Sequence, residues 1–493
     1  MADSGRDGRS AVQNREHLFV GGAWIRPGIG KTIEVVSPHT ECVVAQVAAA
    51  GPVDVDLAVR SARAAFDRGP WPRLDILDRV DVVRRLETLY DKRRPDMADL
   101  ITTEMGAPTT FANRAQVSLP WMTMKALIDA AADFSWQEVR PGHYGQDIVI
   151  RREPVGVVAI IVPWNMPQFL TVIKLIPALL AGCTIVLKPS PEAPLDALLL
   201  ADMLEEVGLP PGVVSVLPGG RDVGEHLVAH PDIDKVSFTG STAAGRQVAA
   251  ACASGLTRTS LELGGKSAAI VLDDADPETV AAGIRSASLS NSGQICNALT
   301  RILVPANRSR DYVDALSTVM SSMRIGDPAD PSTEVGPLVT RRQQTRVRNY
   351  IELGQREGAR LIVGGTERPS HINRGWYVCP TLFADADNGM RIAREEIFGP
   401  VLTVISYRDV DDAVTIANDS EYGLAGSVWT SDIDLGLTIA ARVRTGTFGV
   451  NQGYTMDPAA PFGGMKSSGY GRELGHEGFA GFVDTKSISI GKP

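Results

Sequence analysis

The chain has 493 residues, 44% apolar and 22% charged, and its 49 Lys and Arg against 58 Asp and Glu leave a net charge of −9. That is enough material for two or three domains with large cores, and the balance excludes a disordered chain or a fibrous repeat. A mildly acidic chain without a basic cluster gives no electrostatic footprint for nucleic acid or an anionic membrane surface.

Residues 1–15 are polar and glycine-rich, lack an apolar signal core, and read as a frayed arm. Residues 18–24 and 31–37 read as short strands, with Gly-Gly and Pro-Gly supplying the turns. Alanine-rich periodicity over 53–67 and apolar positions three and four apart over 78–105 predict amphipathic helices. At 155–162 the texture changes to a short β-branched run bounded by Gly and Pro, a strand buried on both faces. Alternation follows: helix 169–181, strand 184–187, helix 195–207, strand 213–217, helix 223–229, strand 235–238, helix 243–253 and strand 261–263. This order implies right-handed crossovers and a doubly wound parallel sheet.

A second alternating region has strands at 267–272 and 300–304 and helices at 277–291 and 311–323. A Pro/Asp-rich loop at 326–336, a charged helix at 341–354 and a strand at 360–363 continue it, and 378–380 leads into another strand. The fold class is therefore α/β, with two unequal halves and no low-complexity linker between them. Such halves share a broad interface, where ligand clefts form. The longest apolar stretches, 155–162 and 175–187, fall short of a membrane span, so the cytoplasm is the expected compartment.

Five cysteines (Cys42, Cys183, Cys252, Cys296, Cys379), odd in number and widely spaced, exclude a disulfide framework. There is no Cys-x-x-Cys pair and the seven histidines show no ligand spacing such as His-Glu-x-x-His, so no metal is expected. Cys296 differs from the other four because the polar approach Asn291-Ser-Gly-Gln294 suits a loop holding a thiol at a cleft rather than a core strand. The alternative for any lone cysteine is an inert small hydrophobe. Glu262, between Leu261 and Leu263 at a strand end, is costly unless it has a partner such as Lys266 or a chemical task. Asn165, in Pro-Trp-Asn-Met-Pro at 163–167, is either a turn residue or a side-chain donor where prolines remove backbone ones. Lys188 ends a buried strand, where doubly wound sheets bind ligands; a solvated surface lysine is the alternative. Phe238-Thr-Gly-Ser-Thr-Ala-Ala-Gly245 is a strand-to-helix turn whose helix N-terminus suits a pyrophosphate, although it is not a Gly-x-Gly-x-x-Gly fingerprint.

Taken together with Glu395-Glu-Ile-Phe-Gly-Pro400 and Pro461-Phe-Gly-Gly-Met-Lys466, these motifs resemble the NAD(P)-dependent aldehyde dehydrogenase superfamily over residues 18–486. The resemblance implies a cofactor-binding domain (1–130 and 154–264), a catalytic domain (265–462) and bridging segments (131–153 and 463–493) that form homodimers or homotetramers. It implies catalysis by Cys296, Glu262 and Asn165, with NAD favoured and NADP open, because Pro191 stands where many NAD-preferring relatives carry an acid and Glu192 comes one step later. The implied cofactor residues are Ile161, Pro163, Trp164, Lys188, Ser190, Gly220, Gly224, Phe238, Thr239, Gly240, Ser241, Leu263, Gly264, Glu396 and Phe398. By motif, Met166, Phe169, Ile173, Ile295, Asn297, Tyr454, Met456 and Phe462 line a substrate tunnel. Their apolar and aromatic character points to a neutral aliphatic, terpenoid or aromatic aldehyde. Coenzyme A-acylating semialdehyde dehydrogenases are the alternative; they typically lack the glutamate at position 262.

Overall fold

The computed structural model describes residues 12–491. Residues 1–11 of the expected arm lie outside that range, but Arg15 is not frayed. Its backbone pairs with Gln46 and Ala48, and its guanidinium bonds Asp202 at 3.0 Å.

The first sheet has eight strands, with Val157–Ile161, Thr184–Lys188, Val214–Val216, Lys235–Thr239 and Arg258–Glu262 forming a parallel centre. The chain runs from Val157–Ile161 outward on one side, then returns to place Lys235–Thr239 on the other side of that first strand. This reversal opens a crevice at the carboxyl ends of the two strands, the ligand position of doubly wound sheets. Side chains alternate between two cores. Val158 and Ile160 face the cluster of helices Ile76–Met105, Pro167–Ala181 and Leu195–Glu206, while Val157 and Ala159 face the helix Pro52–Arg68.

The second sheet has seven strands in the order Arg360–Val363, Thr381–Ala384, Val401–Tyr407, Leu299–Pro305, Ser267–Val271, Ala425–Trp429, Thr447–Val450. All its pairings are parallel except the first. A separate three-stranded antiparallel sheet joins Val483–Ser489 to Asp147–Pro154 and Gln137–Pro141. Of the segment 463–482, Gly469–Tyr470 instead adds an antiparallel edge to the first sheet, against Leu261 and Glu262.

Three local readings are corrected. The expected strand 18–24 is two strands, Leu18–Val20 and Ala23–Ile25, because Gly21 and Gly22 take φ of +60° and +89° in a tight turn. The strand at 32–36 pairs with Val43–Ala48, whose alternation the sequence reading missed. The expected helix 277–291 stops at Ser288, because Asn291, Ser292 and Gly293 all take positive φ.

Candidate active site

The strand Arg258–Glu262 runs parallel to Lys235–Thr239 with Glu262 opposite Thr239, so both residues reach the crevice at one level. There they border a cavity of about 590 Å³ together with Asn165, Cys296, Glu396 and Phe398. The opposite wall comes from two loops of the second half. In the cysteine loop, Asn291, Ser292 and Gly293 have φ of 54°, 57° and 72°. A β-carbon on Gly293 would sit 2.4 Å from the carbonyl oxygen of Gly399, so the two loops touch backbone to backbone.

Hydrogen bonds tie this loop to the Pro-Trp-Asn turn. Asn165 O accepts from Gln116 Nε2 (2.8 Å) and from Asn291 Nδ2 (2.9 Å). Asn165 Nδ2 donates to Gln294 O at 3.0 Å, leaving one amide hydrogen for another acceptor. Gln294 in turn accepts from the Val339 N–H at 3.1 Å. The amide is thus held beside the loop that carries the thiol.

The electrostatics favour neutral groups. Burial pushes the Cys296 thiol up to about 12, and the carboxylates of Glu396 and Glu262 act in the same direction. Glu262 is 3% exposed and neither of its oxygens has a hydrogen-bond partner. Burial holds its carboxyl well above the usual range, and the neighbouring Glu473 raises it further; Lys174 and Arg472 oppose this. Glu473 itself forms a buried ion pair with Lys174. Burial also lifts Glu396 to about 7, against a hydrogen bond from the Gly265 N–H (3.2 Å).

If Glu262 acts as a base, as the resemblance implies, it must lose its proton, and turnover is then expected to rise with pH through its elevated pKa. Glu473→Gln removes the negative charge that raises it. The acid limb of the pH–turnover profile is therefore expected to move to lower pH, measured as steady-state rate against pH on the folded variant; an unmoved limb would dissociate Glu473 from Glu262.

Twelve of the sequence-selected residues border the cavity: Pro163, Trp164, Asn165, Thr239, Gly240, Ser241, Glu262, Leu263, Gly264, Cys296, Glu396 and Phe398. Trp164 and Phe398 meet edge to face at 5.5 Å. Ile161, Lys188, Ser190, Gly220, Gly224 and Phe238 lie outside its wall. Lys188 is no solvated surface lysine, being 5% exposed with Nζ donating to Pro189 O, and burial lowers it to about 8. The alternative ion pair of Glu262 with Lys266 does not form, since Lys266 Nζ also lacks a partner.

Among the tunnel candidates, Phe169, Ile173 and Phe462 are packed into the core and do not border this cavity. Met166, Tyr454 and Met456 are half-buried against the same apolar cluster as Cys296 and Trp164; Ile295 and Asn297 are half-buried as well. Leu170, which follows Phe169 on the helix Pro167–Ala181, borders the cavity. Thr242 and Ala243, from the turn and helix start at 238–245, border it too and open the helix Thr242–Gly255 capped by Ser241, whereas Arg342, Gln343, Arg346 and Tyr422 were missed. The arginines and Gln343 belong to the helix Arg341–Arg356, capped by Thr340, which the sequence marks only as charged.

Two doubly wound α/β halves, facing each other across a cleft with a thiol, a carboxyl and an amide in its wall, define an enzyme architecture. The chain belongs to the aldehyde dehydrogenase family, whose model matches residues 24–488. It is similar to a geranial dehydrogenase of Castellaniella defragrans, 46% identical over 97% of this chain and 99% of that one. A 3-succinoylsemialdehyde-pyridine dehydrogenase of a Pseudomonas species is 42% identical over 97% of this chain and 99% of its own length. In structure it resembles a Mycobacterium tuberculosis aldehyde dehydrogenase complexed with NAD+ (TM-score 0.95, 46% identity, covering 97% and 99% of the two chains). It also resembles a variant of Pseudomonas syringae aldehyde dehydrogenase C complexed with NAD+ and octanal (TM-score 0.93, 42% identity, 99% and 98%).

Proposed function

We propose that this enzyme oxidises a neutral, largely apolar aldehyde to the carboxylic acid with NAD+, through a thioester on Cys296. The observation that carries the reading is the convergence of Cys296, Glu262 and Asn165 on one cavity. The cofactor fits the same wall. The buried Thr239 Oγ1 lacks a partner, the N-termini of Thr242–Gly255 and Arg341–Arg356 border the cavity, and a β-carbon on Gly264 would meet Glu396 at 2.3 Å. Ser241, Thr242 and Arg342 would hold the phosphates, and Glu396 a ribose. Bound NAD+ supplies the hydride acceptor.

In this reading the Cys296 thiol yields its proton to Glu262, whose elevated affinity for protons suits it to that exchange. The thiolate adds to the aldehyde carbon, and the free amide hydrogen of Asn165, with the Cys296 N–H, binds the oxygen as it becomes anionic. Loss of hydride leaves the thioester. Glu262, once it has released the thiol proton to solvent, draws a proton from water, which attacks the acyl carbon; the C–S bond breaks, the acid leaves, and that proton returns to the Cys296 thiolate. The carboxyl at 262 argues against resolution by coenzyme A, which needs no such base.

The half-buried Met166, Tyr454 and Met456, and the relatives named for geranial and crystallised with octanal, support an apolar substrate. We also propose self-association through the three-stranded sheet 137–154 with 483–489, as the resemblance implies, because its exposed Val139 and Ile488 gain from burial. Five free thiols suit a cytoplasmic setting.

An aldehyde panel read at the reduced-nicotinamide absorbance tests the function. Octanal and geranial with NAD+ are expected to give kcat/KM at least about tenfold above succinate semialdehyde, with free acid as product and no coenzyme A requirement. Preference for the charged semialdehyde refutes the substrate class, and acyl-coenzyme A as product refutes the hydrolytic step.

A further inference from the structure

We propose that a second cavity, built on the cysteine loop, is an effector site for a small amphipathic carboxylate. This rests on the reading above, since carboxylates are what aldehyde oxidation releases. The cavity encloses about 270 Å³ and shares no wall residue with the one that holds Cys296.

Two irregular pieces of backbone form its walls. One is the π-helical turn Ala112–Ser118, which contributes Arg114. Such turns are rare and concentrate at functional sites, because the extra residue opens the helical hydrogen-bond ladder. The other is the loop start at Ser290 and Asn291, where the left-handed run begins. Both pieces grip one atom: Gln116 and Asn291 each donate to Asn165 O. An occupant that shifts either wall therefore displaces the amide beside the thiol, a route from this cavity to the reaction that needs no shared surface.

The charge pattern selects the ligand. Arg285 is paired with Glu334, which also accepts from the Arg324 N–H. Arg114, exposed at the rim, is left as the wall's cation without a side-chain partner among the described residues. Phe111, Leu289 and Met323 supply apolar surface beside it. A guanidinium next to hydrocarbon suits a carboxylate with a short apolar tail and offers little to the uncharged aldehyde or alcohol.

Octanoate is the probe, titrated by calorimetry into the intact enzyme and its Arg114→Gln variant. Because binding is read without turnover, failure here is distinguishable from failure of the oxidation reading, which the aldehyde panel reports. Saturable binding to the wild type, weakened at least about tenfold in Arg114→Gln, is expected. Octanoate should lower kcat for octanal with KM unchanged, and the variant should lose this inhibition while keeping its uninhibited kinetic constants. 1-Octanol, with the same tail and no charge, should leave the rate unaltered. Equal binding to both proteins, no binding, or inhibition purely competitive with octanal would overturn the site.

Discussion

Cys296→Ala is expected to reduce NADH formation by at least about 10⁴-fold, the scale seen when a catalytic nucleophile is removed, while NAD+ binding stays near wild type. The substitution deletes one sulfur from a loop anchored by hydrogen bonds of Asn165, Asn291 and Gln294, none of which uses the thiol. No other thiol can take over: Cys183 and Cys252 are buried in the core of the first half, and Cys42 and Cys379 border neither the thiol's cavity nor Asn165. Burst and steady-state NADH absorbance, with NAD+ titrated separately by tryptophan fluorescence, give the two readouts. Oxidation surviving above about one hundredth of wild type would mean that the aldehyde reacts without a thioester at this position.

Glu262→Gln is expected to separate the two halves of the reaction. A first turnover of about one NADH per site should survive, because general-base help at that stage has water and cofactor charge as substitutes, and the later steady-state rate should fall about 10²- to 10⁴-fold. Wild-type turnover is expected to rise with pH as the buried carboxyl ionises, since its proton is held more tightly than an ordinary carboxylate's by burial and by Glu473. In the glutamine variant that rise should vanish. Quenched samples of the variant should accumulate an acyl mass on the enzyme; an unchanged steady-state rate removes Glu262 from the mechanism.

Most of the first half was legible because its strands are buried on both faces and read as unbroken β-branched runs. Val157–Ile161, Thr184–Lys188 and Lys235–Thr239 fall where those runs lie. The later half was less so. Val401–Tyr407, Ala425–Trp429 and Thr447–Val450 carry Ser, Thr and Gly at buried positions, so composition hid them. Cys296, Glu262 and Asn165 were visible through unusual neighbours: a polar loop, a glycine pair and two prolines. The arginines at 342 and 346 were not, because nothing along a charged helix says which end faces a cleft.

The antiparallel strand Gly469–Tyr470 has a consequence for synthesis. Leu263 N–H donates to Ser468 O, and the Ser468 hydroxyl returns a bond to Gly264 O across 204 residues of chain. The edge of the strand Arg258–Glu262 thus stays bare until residues 468–470 have been synthesised. Closure of the cavity that Cys296 and Glu262 border becomes a late, long-range event of folding.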